Sequence, residues 1–241
     1  MPKQEESISI GEAASILGVS IDTLRRWDKS GKLSATKSIG GHRLYSKTHI
    51  AFYLNNLVEI AKEWSLRGLE EVPSKFYCPN SSVFQSKLST LQYALTANTK
   101  LDRISSLIGA VAGEIGINSF DHNLGNWPDV PGIFFGYDID NGVIVLADRG
   151  QGVLVTLKRV RPELVTNEEA LRVAFSEIVS GRAPESRGNG LKFVREVVGK
   201  NPMGLIFQSG DAVLTLVKDG DDLKINHSPD NLRGCFALIT F

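Results

Sequence analysis

Apolar residues recur at three- and four-residue steps along several stretches of the chain, the spacing that lines one face of a helix. The clearest run carries Leu101, Ile104, Ile108, Val111 and Ile115. Helices are also expected over about Ser82–Thr96, Asn167–Val179 and Leu191–Val198. Between them the pattern changes. Gly132–Ile139 and Gly142–Ala147 are compact apolar runs separated by Asp140-Asn141, which predicts two strands joined by a tight turn. Further strand-like runs follow at Gly204–Gln208, Ala212–Lys218, Leu223–Asn226 and Cys235–Phe241, punctuated by Ser-Gly-Asp and Asp-Gly-Asp-Asp turns. This succession predicts an α+β sandwich over residues 101–241, with helices on one face of a mixed sheet.

The first sixty-odd residues follow a different plan. Ser9 caps a helix and Glu12 stands three residues on, the spacing of a capping box; Ala13, Ala14, Ile16 and Leu17 supply its apolar positions. Gly18 stops that helix, Ser20 caps a second one over Ile21–Ser30, and Gly31 ends it. A three-residue turn, Gly-Val-Ser, separates the two, as in a helix-turn-helix. Gly40-Gly41 and Tyr45 then predict two small strands around a tight turn, and Ser46 caps a third helix over about Lys47–Trp64. Pro73, Pro79 and Asn80-Ser81-Ser82 break the pattern, so a boundary is expected between about 65 and 80. The expected division is 1–64, a helical linker over 65–100, and 101–241.

Composition narrows the class. With 42% hydrophobic and 22% charged residues the chain has an ordinary globular make-up, which excludes a disordered or collagen-like polymer. Lys plus Arg (27) cancels Asp plus Glu (27), which excludes a uniformly basic coat. The charge is unevenly spread, +3 over residues 1–50 and −3 over 51–241. Cys78 and Cys235 lie far apart with no further ligand at metal spacing, so neither a disulfide scaffold nor a structural zinc site is expected. No apolar run approaches bilayer length, and a cytoplasmic protein with no membrane partner is the expectation.

Residues 23–47 hold seven basic side chains against one acid, Asp28. Such a cluster suits phosphate neutralisation, although a solvated basic face on a plain helical bundle has the same composition. Ile8–Leu33 followed by Gly40-Gly41-His42-Arg43-Leu44-Tyr45-Ser46 resembles the winged helix-turn-helix of the MerR family and the related excisionase-type modules. The resemblance implies that the second helix enters the major groove of double-stranded DNA while the wing holds the backbone. It casts Ser20, Thr23, Arg25 and Arg26 as groove or phosphate contacts and places Lys37, His42, Arg43 and Tyr45 on the wing. Trp27 and Leu24 read as core.

Three separated pieces point to a nucleotide in the second half. Glu114 and Asn118 are four apart on the long helix and share a face; a carboxylate there could activate water and an amide oxygen could ligate Mg²⁺, but a solvated polar face has the same spacing. The apolar strand ending in Asp148-Arg-Gly150-Gln-Gly152 offers a carboxylate to an exocyclic amine and glycines to a flat ring, or is simply a turn after a buried strand. Gly188-Asn189-Gly190-Leu191 opens a helix whose N–H groups could meet phosphate, or is a plain helix-start loop.

In this order the three resemble the GHKL family of gyrase-type topoisomerases, heat-shock chaperone ATPases, histidine kinases and MutL proteins, over residues 100–241. The resemblance implies a Bergerat-type α/β sandwich binding ATP and Mg²⁺. Glu114 would be the base, Asn118 the Mg²⁺ ligand and Asp148 the adenine reader, with Gly150 and Gly152 along the ring. Asp121 completes the Glu-x-x-x-Asn-x-x-Asp motif, residues 153–187 form a lid, and Gly188, Asn189, Gly190 and Leu191 approach the phosphates. His122 after the Asp, and Gly-Asn-Gly-Leu-Lys-Phe in place of a fuller glycine motif, depart from the family, so the resemblance carries binding further than hydrolysis. The expected function is a dimeric transcriptional regulator under ATP control, a possible weak ATPase. The alternative is a GHKL kinase or ATPase acting on a protein partner while tethered to DNA. No histidine occurs over 65–113, where a histidine autokinase would carry its phosphoacceptor.

Overall fold

A computed structural model describes residues 7–67, 72–177, 190–220 and 222–241. In the N-terminal unit, strand β1 (Ser7–Ser9) leads into helix α1 (Ile10–Leu17), which Ser9 and Glu12 close with a reciprocal capping box and Gly18 ends in the left-handed conformation, φ 64°. Helix α2 (Ile21–Ser30) starts on the Ser20 side chain and ends at Gly31, φ 76°. Strands β2 (Thr36–Lys37) and β3 (Arg43–Ser46) form the hairpin that the Gly40-Gly41 pair predicts. β1 adds to the other side of β3, a pairing too short to leave a periodic trace in the sequence. Ile8, Ala13, Leu17, Leu24, Trp27, Leu33 and Tyr45 form the core.

The single helix expected over Lys47–Trp64 is two. Helix α3 (Lys47–Asn55) stops at Asn56, whose φ/ψ of −88°/62° is not helical, and α4 (Leu57–Arg67) starts afresh. Leu57, Ile60, Ala61 and Trp64 form one stripe of α4, and that stripe lies against Phe134, Val145, Ala147, Leu232 and Phe236 of the second unit's sheet. Tyr53 and Leu54 of α3 pack against both this cluster and the N-terminal core, so α3 and α4 together join the two. The stretch expected as a linker is also core material. Strand β4 (Tyr77–Cys78) joins the sheet, and helix α5 (Ser81–Ala97) buries Phe84, Leu88, Leu91 and Leu95 against helix α6 (Ser105–Asn123).

The hairpin β5 (Ile133–Asp138) and β6 (Val143–Asp148) follows, then helices α7 (Gly152–Leu157), α8 (Asn167–Ser176) and α9 (Gly190–Lys200), and the long strands β7 (Gly204–Val217) and β8 (Lys224–Thr240). The four expected strand runs are thus two: Ser-Gly-Asp makes a bulge at Gly210 (φ 59°) within β7 instead of a turn, and β8 continues through residues 227–234. Strand order is β4-β5-β6-β8-β7. Every described pair is antiparallel, which corrects the mixed sheet; β6 and β7 do run parallel, but β8 lies between them.

Side-chain alternation divides the sheet. Ile133, Phe135, Ile144, Leu146, Phe207 and Ala237 face α5, α6, α8 and α9, while Phe134, Val145, Ala147 and Phe236 face α4. Helices therefore cover both faces, not one. Among the described residues no helix is long and apolar enough to cross a membrane.

Candidate functional site

The N-terminal unit presents a helix and a hairpin side by side. On α2, Ser20, Arg25 and Arg26 are exposed. Arg25 pairs with Asp22 at 2.7 Å, and Arg26 donates to the Thr23 hydroxyl at 3.3 Å. Lys37 and His42 are exposed on the hairpin, where Gly41 (φ 78°) closes the turn by donating to the Ser38 carbonyl at 2.9 Å. Arg43 turns inward and donates from Nε to Asp28 on α2 at 2.7 Å. Asp28 also accepts the Ala35 N–H at 2.9 Å, and that bond, with Arg43, holds its carboxyl below the ordinary range.

Two expected contacts move from surface to support. Thr23 and Tyr45 are each 0% exposed and cannot touch DNA. Thr23 shares its hydroxyl with Ser20 and Arg26, and Tyr45 donates its hydroxyl to the Leu24 carbonyl at 3.0 Å, fixing the hairpin to α2. Burial raises the Tyr45 pKa, so it remains a donor.

In the second unit a cavity of about 90 Å³ opens between α6, α7, α8, α9, the end of β6 and the strands β7 and β8. Asn118, Asp148, Gly152, Gly190 and Leu191, from all three sequence pieces, line it. Asp148 is 2% exposed at the tip of β6. One carboxylate oxygen accepts the N–H groups of Gly150 (2.8 Å) and Cys235 (3.3 Å), and the other accepts the Ser119 hydroxyl at 2.7 Å. Burial raises its pKa and these three bonds oppose the rise. A carboxylate offers about four lone-pair sites, so one is left for a further donor.

The glycines here are dictated by crowding. A Cβ on Gly150 would land on Asn123, whose amide oxygen accepts the Gln151 N–H at 2.8 Å. Gly152 has φ 75° and starts α7, where Ser209 accepts the Val153 N–H at 2.9 Å. On the far side a Cβ on Gly190 would sit 2.6 Å from a Glu114 carboxylate oxygen and 3.2 Å from the Asn118 amide nitrogen. Glu114 and Asn118 thus converge on the start of α9. Asp121 lies a turn further along α6 and does not line the cavity. Gly188 and Asn189 lie outside the described residues, as does the part of the expected lid beyond 177; the described part holds α7 and α8 around a small core of Leu157, Leu164 and Ala170.

Sequence reasoning missed Ser119, Asn123, Ser209 and Gly234. Each acts through a partner at least 25 positions away, and a lone serine or glycine carries no local signal. Cys235 borders the cavity, and burial keeps its thiol well above the ordinary pKa, which argues against a nucleophile. Among the described residues no group of three or more His, Cys, Asp or Glu is placed to hold a metal ion.

No curated protein matches the chain. Residues 9–45 match the family model described as MerR family regulatory protein, the stretch from the Ser9 cap to the buried Tyr45. The N-terminal unit is a MerR-family helix-turn-helix domain, which points to DNA-binding transcriptional regulation.

Proposed function

We propose that the protein is a transcriptional regulator whose DNA binding is set by ATP–Mg²⁺ in the cleft of a GHKL-like second unit. The observation that carries this reading is Asp148, a buried carboxylate at the floor of a cavity, with one acceptor site left for an amine donor. The surroundings fit an adenine nucleotide. Apolar Ile115, Val153, Leu157 and Phe207 line the cavity beside Asp148, as a flat base requires. Gly190 at the first turn of α9 lies against Glu114 and Asn118, the side on which backbone N–H groups, an amide oxygen and a carboxylate would meet phosphate, Mg²⁺ and water.

In this reading Asp148 accepts the base's amine, Asn118 offers its amide oxygen to Mg²⁺, and Glu114 orients water. ATP–Mg²⁺ supplies the γ-phosphate, whose loss or retention distinguishes two liganded states. DNA is met by Arg25, Arg26 and Ser20 on α2 and by Lys37 and His42 on the wing, with Arg43 holding the wing to the helix. A homodimer presents two such surfaces to paired half-sites.

The test is a DNA-binding titration of the full chain with and without ATP–Mg²⁺, beside a thermal melt. A ligand at a hundred times its dissociation constant adds about 2.7 kcal/mol of stability, so binding shows as a clear upward shift. A melt unchanged by ATP–Mg²⁺ removes the nucleotide reading, and DNA affinity unchanged by bound ATP removes the regulatory one.

A further inference from the structure

Asp148 and Arg149 are adjacent, and strand alternation sends them to opposite faces of the sheet. Asp148 enters the cleft, whereas Arg149, 1% exposed, turns towards α4. Its guanidinium carbon lies 5.7 Å from the centre of the Trp64 ring and one nitrogen donates to Asp129. The Nε and Nη1 groups are buried with no hydrogen-bond partner. A buried cation held by one carboxylate and one ring is exacting about position, because any displacement costs either contact.

The contacts continue beyond Trp64. Its neighbour Glu63 accepts Lys32 Nζ at 2.7 Å in a largely buried ion pair that joins α4 to the DNA-binding unit. The same Lys32 nitrogen lies 4.7 Å from the centre of the Trp27 ring, and Trp27 is one of the buried core residues of α2. Two pairs of sequence neighbours therefore bridge the protein, Asp148-Arg149 at the end of β6 and Glu63-Trp64 on α4. The break at Asn56 separates α3 from α4, and Tyr53 of α3, its ring 5.8 Å from the same Lys32 nitrogen, packs against both cores beside this path.

We propose that Arg149, Trp64, Glu63 and Lys32 form a relay that transmits occupancy of the Asp148 cleft to the DNA-reading helix. The proposal rests on the nucleotide reading of that cleft. A donor bound to Asp148 biases the position of the β6 tip. Arg149 follows as the next residue, α4 follows Arg149 through Trp64, and Glu63 moves the Lys32 side chain lodged on Trp27. Coupling of this kind requires only that the two arrangements differ in free energy with and without nucleotide.

The test uses the full chain and two variants whose side chains do not line the cleft. R149M keeps the apolar stem and removes the guanidinium, and E63Q weakens the Lys32 pair without touching the cleft. ATP affinity and DNA affinity with and without ATP–Mg²⁺ are measured for each. Both variants should keep ATP affinity within about threefold of the wild type, while the ratio of DNA affinities with and without nucleotide collapses towards one. If R149M does not fold, E63Q decides. A wild-type ratio in E63Q or in folded R149M overturns the relay and leaves the nucleotide reading standing. Failure of the wild type to bind ATP overturns both.

Discussion

The Arg43 Nε nitrogen donates to Asp28 at 2.7 Å, so the β2–β3 hairpin is tied to α2 by a partly buried ion pair. Asp28 receives the Ala35 N–H as well, at the point where the chain leaves α2 for β2. Asp28→Asn weakens that junction but leaves every basic side chain in place. It should lower domain stability by about 1–2 kcal/mol and weaken DNA binding without changing its salt dependence, because no phosphate contact is lost. Urea denaturation and a salt-dependent titration check the two halves. The folded pKa of Asp28 is depressed, so its stabilisation is present above the ordinary carboxylate range and fades as pH falls through the lowered value.

Arg26 and Lys37 are exposed on the two halves of the surface, which lets their substitutions separate reading from holding. Arg26→Ala should cost about 1–3 kcal/mol on the preferred sequence and relax preference at one position. Lys37→Ala should weaken all sequences alike and reduce the salt slope by about 0.9. Competition against a panel of single-base variants distinguishes the patterns, and equal, sequence-independent losses would reverse the assignment of Arg26.

Asp148→Asn tests the cleft. The Ser119 hydroxyl can rotate to accept where it now donates, and the Asn oxygen can keep the N–H groups of Gly150 and Cys235, so the fold should survive. In the proposed nucleotide reading the new NH₂ would face the amine of the base, and ATP affinity should fall at least about tenfold. Glu114→Ala should keep ATP binding and remove any hydrolysis. pH gives an independent check. The folded pKa of Asp148 is raised, so its contribution to stability is greatest below the ordinary carboxylate range and is lost as pH rises through the raised value. An amine donor favours the ionised form, so ATP affinity should rise over that same interval, and Asp148→Asn should flatten the profile in calorimetric titrations.

Asp129 accepts both Arg149 and Arg233, the latter at 2.9 Å. Removing it leaves the Arg149 charge buried without a counterion, and Asp129→Ala should destabilise the protein by about 3–5 kcal/mol. Adding Arg149→Met to Asp129→Ala should restore part of that loss, because the orphaned charge disappears with its partner. Strict additivity in the denaturation midpoints would contradict the pairing.

The helix ends were the most legible part of the chain. Ser9, Glu12, Gly18, Ser20 and Gly31 act within their own turn, and local chemistry placed α1 and α2 to the residue. The break at Asn56 leaves no trace in the pattern because the apolar stripes of α3 and α4 are both helical in period and overlap at Tyr53 and Leu54, which pack against both cores. The resemblance places Arg43 and Tyr45 on the wing but says nothing about which strand face packs on α2, and both turn towards that helix. In the cleft, Asp148 could be named from the strand and glycines around it. Ser119 could not, since its pairing with Asp148 depends on how α6 lies across the sheet.

The placing of β8 between β6 and β7 has a consequence for synthesis. Of the five strands in the larger sheet, the one that joins β6 to β7 is the last to be made, and the Asp148 site takes the Cys235 N–H and the space left by Gly234 from it. The helix-turn-helix core draws on residues 8–54 alone and can assemble from neighbouring chain. A nascent protein would therefore own a folded helix-turn-helix before it owns a closed Asp148 cleft. Long-range pairing makes the second step the slower one, so β6 and β7 must wait with exposed edges, and crowded expression should yield aggregates seeded by these strands while the N-terminal unit within them stays native.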